Sequence, residues 1–293
     1  MSCTEIQCTD TAHHHNVTTK LSYLDTNSPN WDSPIVVPKN PDDILKIESN
    51  NKKMIQTEVT IFDVGDRMSD YTLSEHAFQY VKLNTKLTDE DCLDDGRIKE
   101  VYYPEVEKMI KEVTGASYVY IWNHNVRGPI AGGPNPVDPT KQPSMYVHSD
   151  QSDKGGRILV EDKIPDKKVA QDILQKRYAS INIWRPRKTI YKDPFAITDA
   201  NSVSDLDLVP IALKRWPDIV MEETLAVRPN PNHRWFYKYT QQPDEVLLFK
   251  NFDSRADGKT AKRVIHSAFV DESHEHKPPR ENIEVRCIAV WDE

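Results

Sequence analysis

Two histidines and an aspartate are the residues of this chain best suited to hold a metal ion. His148-Ser149-Asp150 follows the apolar run PSMYV, and His266 lies far downstream in the β-branched stretch RVIHSAFV. If residues 143–148 form a strand, His148 and Asp150 project from the same face and can reach one cation from a single ledge. Two neutral imidazoles and one carboxylate on one face of an octahedron leave the opposite face open. That is the arrangement non-heme iron(II) uses to bind a cosubstrate and dioxygen together. Zinc accepts the same ligands and would imply hydrolysis instead. In a chain with 10 histidines the triplet alone says little. Its position at a strand end, with a second strand-borne histidine, gives it weight.

A second constellation favours iron over zinc. Arg280-Glu-Asn-Ile-Glu-Val-Arg286 opens the last apolar stretch. Strand alternation puts Arg280, Asn282, Glu284 and Arg286 on one face and Ile283, Val285 and Cys287 on the other. A dicarboxylate that chelates a metal through its keto acid end has a second carboxylate to neutralise. A guanidinium fork meets it with two charge-assisted hydrogen bonds, and a zinc hydrolase has no use for one. So many polar residues facing a small interior would be costly without such a ligand. On a solvent-facing strand the same arginines would pair with Glu281 and Glu284 for negligible stability.

The elements that must position these residues follow from composition and period. Residues 1–20 are polar and read as a disordered N-terminus. Residues 21–58, with Pro29, Pro34, Pro38 and Pro41, read as an extended arm, and VTIFDV (59–64) as a strand. Thr72 with Glu75 forms a capping box that predicts a helix, and Pro104 to Gly115 encloses a second one with Val106, Met109, Ile110 and Val113 at helical spacing. Beyond it the period changes to short aromatic and β-branched runs at 117–123, 143–148, 179–185, 234–239, 244–249, 263–270 and 282–291, interrupted by helical segments near 167–177 and 204–214. The expected class is α+β, mainly β, with two sheets and flanking helices.

The chain of 293 residues is long enough for one sizeable domain, and a formal charge of −8 argues against sequence-independent nucleic-acid binding. No apolar run reaches spanning length, and the first residues lack the basic and apolar regions of a secretory signal. Cys3, Cys8, Cys92 and Cys287 are too few and scattered for a disulfide scaffold, which fits a reduced, cytoplasmic setting. His13-His14-His15 reads as part of the disordered tail, and His274 and His276 as solvated.

With these blocks in view, the chain resembles the fungal and bacterial hydroxylase/desaturase family of Fe(II)/2-oxoglutarate-dependent oxygenases, which includes gibberellin desaturase-like and cephem methoxylase-like proteins. The resemblance runs from about residue 55 to the C-terminus. It rests on YYPEVEKMIKEVTGA (102–116), HNVRGP (124–129), VHSDQS (147–152), SINIWRP (180–186), NHRWFY (232–237), PDEVLLFKNFDS (243–254), HSAF (266–269) and PPRENIEVR (278–286). It implies a double-stranded β-helix (jelly roll, cupin-like), with residues 21–293 as a single oxygenase domain carrying an N-terminal arm and helices. It implies Fe(II) on His148, Asp150 and His266, with 2-oxoglutarate and O2 as cosubstrates. Arg280 is expected to hold the distal carboxylate, with Arg286 and Asn282 in support. Arg177, Asn182, Trp184 and Arg185 match a further block expected to line the pocket, Arg177 and Asn182 on the cosubstrate side. The implied activity is hydroxylation, desaturation or oxidative cyclisation of a specialised metabolite, without nucleic acid or membrane as partner and with a homodimer left open. A redox-neutral isomerase on the same site and an inactive cupin-like binding protein are the competing readings. One departure is Ala77, where the family more often has glycine.

Overall fold

The structure, a computed structural model, describes residues 14–29, 31, 33–37, 53–128, 142–215 and 219–292. Its strands in chain order begin with β1 (Val17–Leu24), β2 (Ile35–Val37), β3 (Met54–Asp63), β4 (Phe78–Lys82) and β5 (Tyr118–Arg127). There follow β6 (His148–Ser149), β7 (Arg177–Pro186), β8 (Phe195–Thr198), β9 (Leu208–Arg215) and β10 (Ile219–Val227). The last are β11 (Trp235–Tyr237), β12 (Glu245–Asp253), β13 (His266–Ala268) and β14 (Asn282–Trp291).

The longest apolar runs, β7, β12 and β14, become the centre of a five-stranded antiparallel sheet ordered β4-β12-β7-β14-β5. Every residue of β12 is buried, as expected of a strand covered on both faces. The remaining strands form a nine-stranded sheet ordered β1-β3-β11-β8-β13-β6-β10-β9-β2. The two sheets pack through Phe78, Trp184, Leu247 and Phe249 of the first against Phe195, Ile197 and Phe236 of the second. This is the expected jelly roll.

Helices flank the smaller sheet on both faces. Helix α1 (Tyr103–Thr114) continues from a short helical run at Asp95–Arg97 and a π turn at Ile98–Tyr102, and it stops at Gly115 in the left-handed region (φ 71°). Its Val106 and Ile110 pack on Ile181, Ile183, Val285 and Cys287. Helix α2 (Asp153–Lys163) and helix α3 (Lys167–Ile173) pack Leu159, Val160 and Ile173 on Phe252, Ile288 and Val290. Among the described residues no helix is long and apolar enough to cross a membrane.

Several sequence expectations are corrected. Val17–Lys20 are not a disordered tail but the first half of β1, paired along its length with β3; residues 1–13 lie outside the described set. Thr72 accepts from the Glu75 amide (3.2 Å), yet only one turn forms, because Ala77 enters the left-handed region (φ 62°) and starts β4. A left-handed backbone is where an alanine stands in for glycine at a conformational cost. The segment near 204–214 is strand β9 after a brief 3-10 turn at Asp205–Asp207, since its apolar residues alternate against β10. The run at 143–148 is mostly irregular, with only His148–Ser149 in β6.

Helix α2 was not among the expected elements, and it carries Gly155-Gly156, a pair unfavourable inside a helix. Both glycines instead allow close packing. A Cβ on Gly155 would lie 2.1 Å from the Glu223 carbonyl oxygen, and one on Gly156 would lie 2.5 Å from the Phe252 ring. Gly155→Ala is therefore expected to destabilise the fold by about 1–3 kcal/mol, the cost of overpacking, read as a lower denaturant midpoint at unchanged m-value.

Candidate metal centre

Asp150 stands where the two sheets meet, and its two oxygens face different ways. Oδ1 lies 3.6 Å from His148 Nε2 and 3.7 Å from His266 Nε2. The histidines are cross-strand partners in β6 and β13, with ring centroids 4.3 Å apart. One ion can sit among the three atoms, a donor set of two imidazole nitrogens and one carboxylate oxygen. Oδ2 points away, toward the smaller sheet. It accepts from Asn182 Nδ2 (2.9 Å) and Asn251 Nδ2 (3.2 Å), with Arg286 Nε at 3.9 Å.

The electrostatics suit ligation. Burial would raise the Asp150 carboxyl, but Arg286, the two imidazoles and the Asn182 amide outweigh it and hold the group at about 2. Burial, then His148, holds His266 down at about 3, so its imidazole is neutral as a ligand must be. His148 Nδ1 bonds the Tyr146 carbonyl oxygen (2.9 Å), which orients its ring. His266 Nδ1 is buried without a partner, its ring packed between Phe195 and Phe249.

The wall opposite is the inner face of the smaller sheet, and it is polar toward β14 and β5. Asn182, Trp184, Glu284 and Arg286 share it, as β7–β14 pairing of Asn182 with Arg286 and Trp184 with Glu284 requires. Glu284 accepts from Arg286 Nε (3.3 Å) and Asn182 Nδ2 (2.6 Å), and Glu284 first, then Asp150, raises the Arg286 pKa. Arg280 is buried at 6% exposure beside Trp184, with its guanidinium 5.3 Å from that ring. Its Nη1 donates to the Asp193 carbonyl (2.8 Å) and its Nε has no partner. Among the described residues no carboxylate lies within ion-pair distance of it, and burial with Arg127 lowers its pKa to about 9. Arg280, both histidines, Asp150, Trp184 and Arg286 line one narrow cleft. A wider cavity of about 390 Å³ opens beside it, reaching His148 and Asp150 and bounded by Trp122, Arg127, Tyr146, Lys163 and Glu222.

The other expected pocket residues stand elsewhere or act otherwise. Arg177 does not reach the triad. It falls on the outer face of β7, where its guanidinium grips both oxygens of Asp253 (3.2 and 3.0 Å) and covers the Trp291 ring. Arg185 shares that outer face and lies over Tyr102. Asn182 is at the site but bonds Asp150 and Glu284. Asn282 is fully buried with neither amide atom partnered. Asn251 was missed, its only sequence signal being a polar residue in a buried strand. His15 and His274 were misjudged: both bond Asp271 Oδ2 at 2.9 Å, while His13 lies outside the described residues.

Comparisons with known proteins give the family. A family model described as an oxidoreductase/YMDC permease-like domain matches residues 21–290. The hydroxylase/desaturase efuI of Hormonema carpetanum is 34% identical, over 84% of this chain and 88% of its own. The alpha-ketoglutarate-dependent dioxygenase tstK of Talaromyces stipitatus is 32% identical, over 95% of this chain and 99% of its own. The chain belongs to the hydroxylase/desaturase family of iron(II)- and 2-oxoglutarate-dependent oxygenases. The fold of this family member matches a solved structure of the iron and alpha-ketoglutarate-dependent endoperoxidase NvfI, with a TM-score of 0.80 at 23% identity, covering 95% of this chain and 99% of that one.

Among the described residues two clusters could hold a divalent ion, but in the second both histidines already bond the same Asp271 oxygen. Asp150→Ala is expected to abolish tight Mn(II) binding, and Asp271→Ala to leave it unchanged. Electron paramagnetic resonance of free Mn(II) checks both.

Proposed function

We propose that this oxygenase holds iron(II) on His148, Asp150 and His266 and seats the distal carboxylate of 2-oxoglutarate on Arg280. The carrying observation is a buried cation with no carboxylate partner among the described residues, in the cleft that also contains the triad. Such a charge is costly to bury unless a ligand supplies the missing anion. Arg286 is the weaker candidate, since Glu284 and Asp150 already neutralise it. When bound, iron(II) with 2-oxoglutarate and O2 supplies the oxidising power to remove hydrogen from a C–H bond, with succinate and carbon dioxide as coproducts.

The protein's own part is placement. Arg280 fixes one end of the cosubstrate, and Trp184, packed against Phe195 with ring centroids 5.2 Å apart, screens that end from water. The substrate enters the adjoining cavity, where Trp122 and Tyr146 offer aromatic surface and Arg127, Lys163 and Glu222 offer charge. That mixture suits a small specialised metabolite carrying oxygen functions, acted on by hydroxylation, desaturation or oxidative cyclisation. No observation favours a redox-neutral isomerase or an inactive binding protein.

Anaerobic titration with iron(II) and 2-oxoglutarate is expected to give the weak visible charge-transfer band of the chelate. In Arg280→Ala the 2-oxoglutarate needed to half-saturate that band should rise about 10–100-fold, the worth of a charge-assisted hydrogen bond pair. An unchanged value would move the anchor to another residue, and no band in the wild-type protein would refute the assignment.

A further inference from the structure

A carboxylate ligand with two free oxygens can bind an ion through one or both. The second mode takes up a further coordination position and leaves too few for a chelating oxo acid and dioxygen together. The geometry around Asp150 decides between the modes, and the residue that decides it lies in β12.

Strand β12 pairs with β7 in continuous register through Lys250↔Ile181 and resumes at Phe252↔Ser180, so Asn251 is an extra residue in a bulge. Bulges re-aim a side chain at the cost of a ladder bond. Here the fully buried Asn251 meets the ligand segment at three points. Its Oδ1 accepts from the Asp150 backbone amide (3.3 Å), its Nδ2 donates to Asp150 Oδ2 (3.2 Å), and its carbonyl accepts from Ser149 Oγ (3.5 Å). Asn182 Nδ2 donates to the same Oδ2 from the neighbouring strand.

The bulge is braced on both sides. Lys250 N donates to the Ala77 carbonyl (2.8 Å), and Val264 N donates to the Lys250 carbonyl (3.0 Å). The Lys250 ammonium, 2% exposed, bonds Asp253 Oδ2 (2.9 Å), and Asp253 is gripped in turn by Arg177. Arg177 thus serves the site through the strand that carries Asn251.

We infer that Asn251 is a positioning residue that makes Asp150 a one-oxygen ligand, with Asn182 as the second amide and the Arg177–Asp253–Lys250 set as the brace. The inference rests on the metal assignment proposed above. Oδ2 is occupied by two amide donors, so only Oδ1 turns toward the histidines.

A crystal structure of the wild-type protein with Mn(II) tests it directly. The expected result is Oδ1 alone on the ion, with Oδ2 within hydrogen-bond distance of both amides. Both Asp150 oxygens on the ion would overturn the inference and leave the metal assignment standing, whereas no ion at the triad would overturn both. In solution, Asn251→Leu should weaken Mn(II) binding about 10–100-fold, as loss of support to a ligand does. It should weaken 2-oxoglutarate binding to the Mn(II)-saturated variant as well, because the freed carboxylate then takes a second position. Asn251→Asp, which keeps the size and the acceptor for the Asp150 amide but lacks the donor to Oδ2, should shift both affinities the same way. A lower melting temperature in either variant with both affinities unchanged would show a packing role only and refute the inference.

Discussion

An ionised carboxylate placed between two packed sheets is tolerated only where every lone pair finds a positive partner, and Asp150 sets that condition for the whole interior. Its neighbours are drawn from both sheets. The imidazoles come from β6 and β13, the amides from β7 and β12, and the guanidinium from β14. Packing the sheets in any other register would strand this charge. The apolar contacts among Phe195, Phe249 and Trp184 supply the attraction between the sheets, and Asp150 supplies the alignment.

That requirement explains an asymmetry in the smaller sheet. Toward β4 and β12 its inner face is hydrocarbon, with Phe78, Tyr80, Leu247 and Phe249; toward β14 and β5 it carries amides and charges. The narrow cleft at the triad and the wider cavity both lie on the polar half, where groups beyond those needed by Asp150 are available to a ligand.

The ligands and the arginine block were legible in the sequence because their chemistry is fixed by residue type and their placement by a two-residue period. That sufficed to bring out His148, Asp150, His266, Arg280 and Arg286 as candidates, while the preference for Arg280 over Arg286 came from the family resemblance. Facing was legible only where the strand's frame was known. Arg177 and Asn182 differ by an odd number of positions on one unbroken strand, so they lie on opposite faces, and only pairing with β14 shows which face is inner. Asn251 lay beyond reach because a bulge is a relation between strands and leaves no mark in either alone. The need for Gly155-Gly156 was out of reach for a similar reason, since the neighbours that make small residues necessary, the Glu223 carbonyl and Phe252, come from β10 and β12.

The two histidines are not equivalent. The Tyr146 carbonyl fixes which nitrogen of His148 carries the proton, so that ring is prepared whether or not an ion is present. Among the described residues nothing polar addresses Nδ1 of His266, which faces aromatic carbon. The protein alone therefore orients one half of the imidazole pair, while a cation shared by the triad would settle the tautomer of the other.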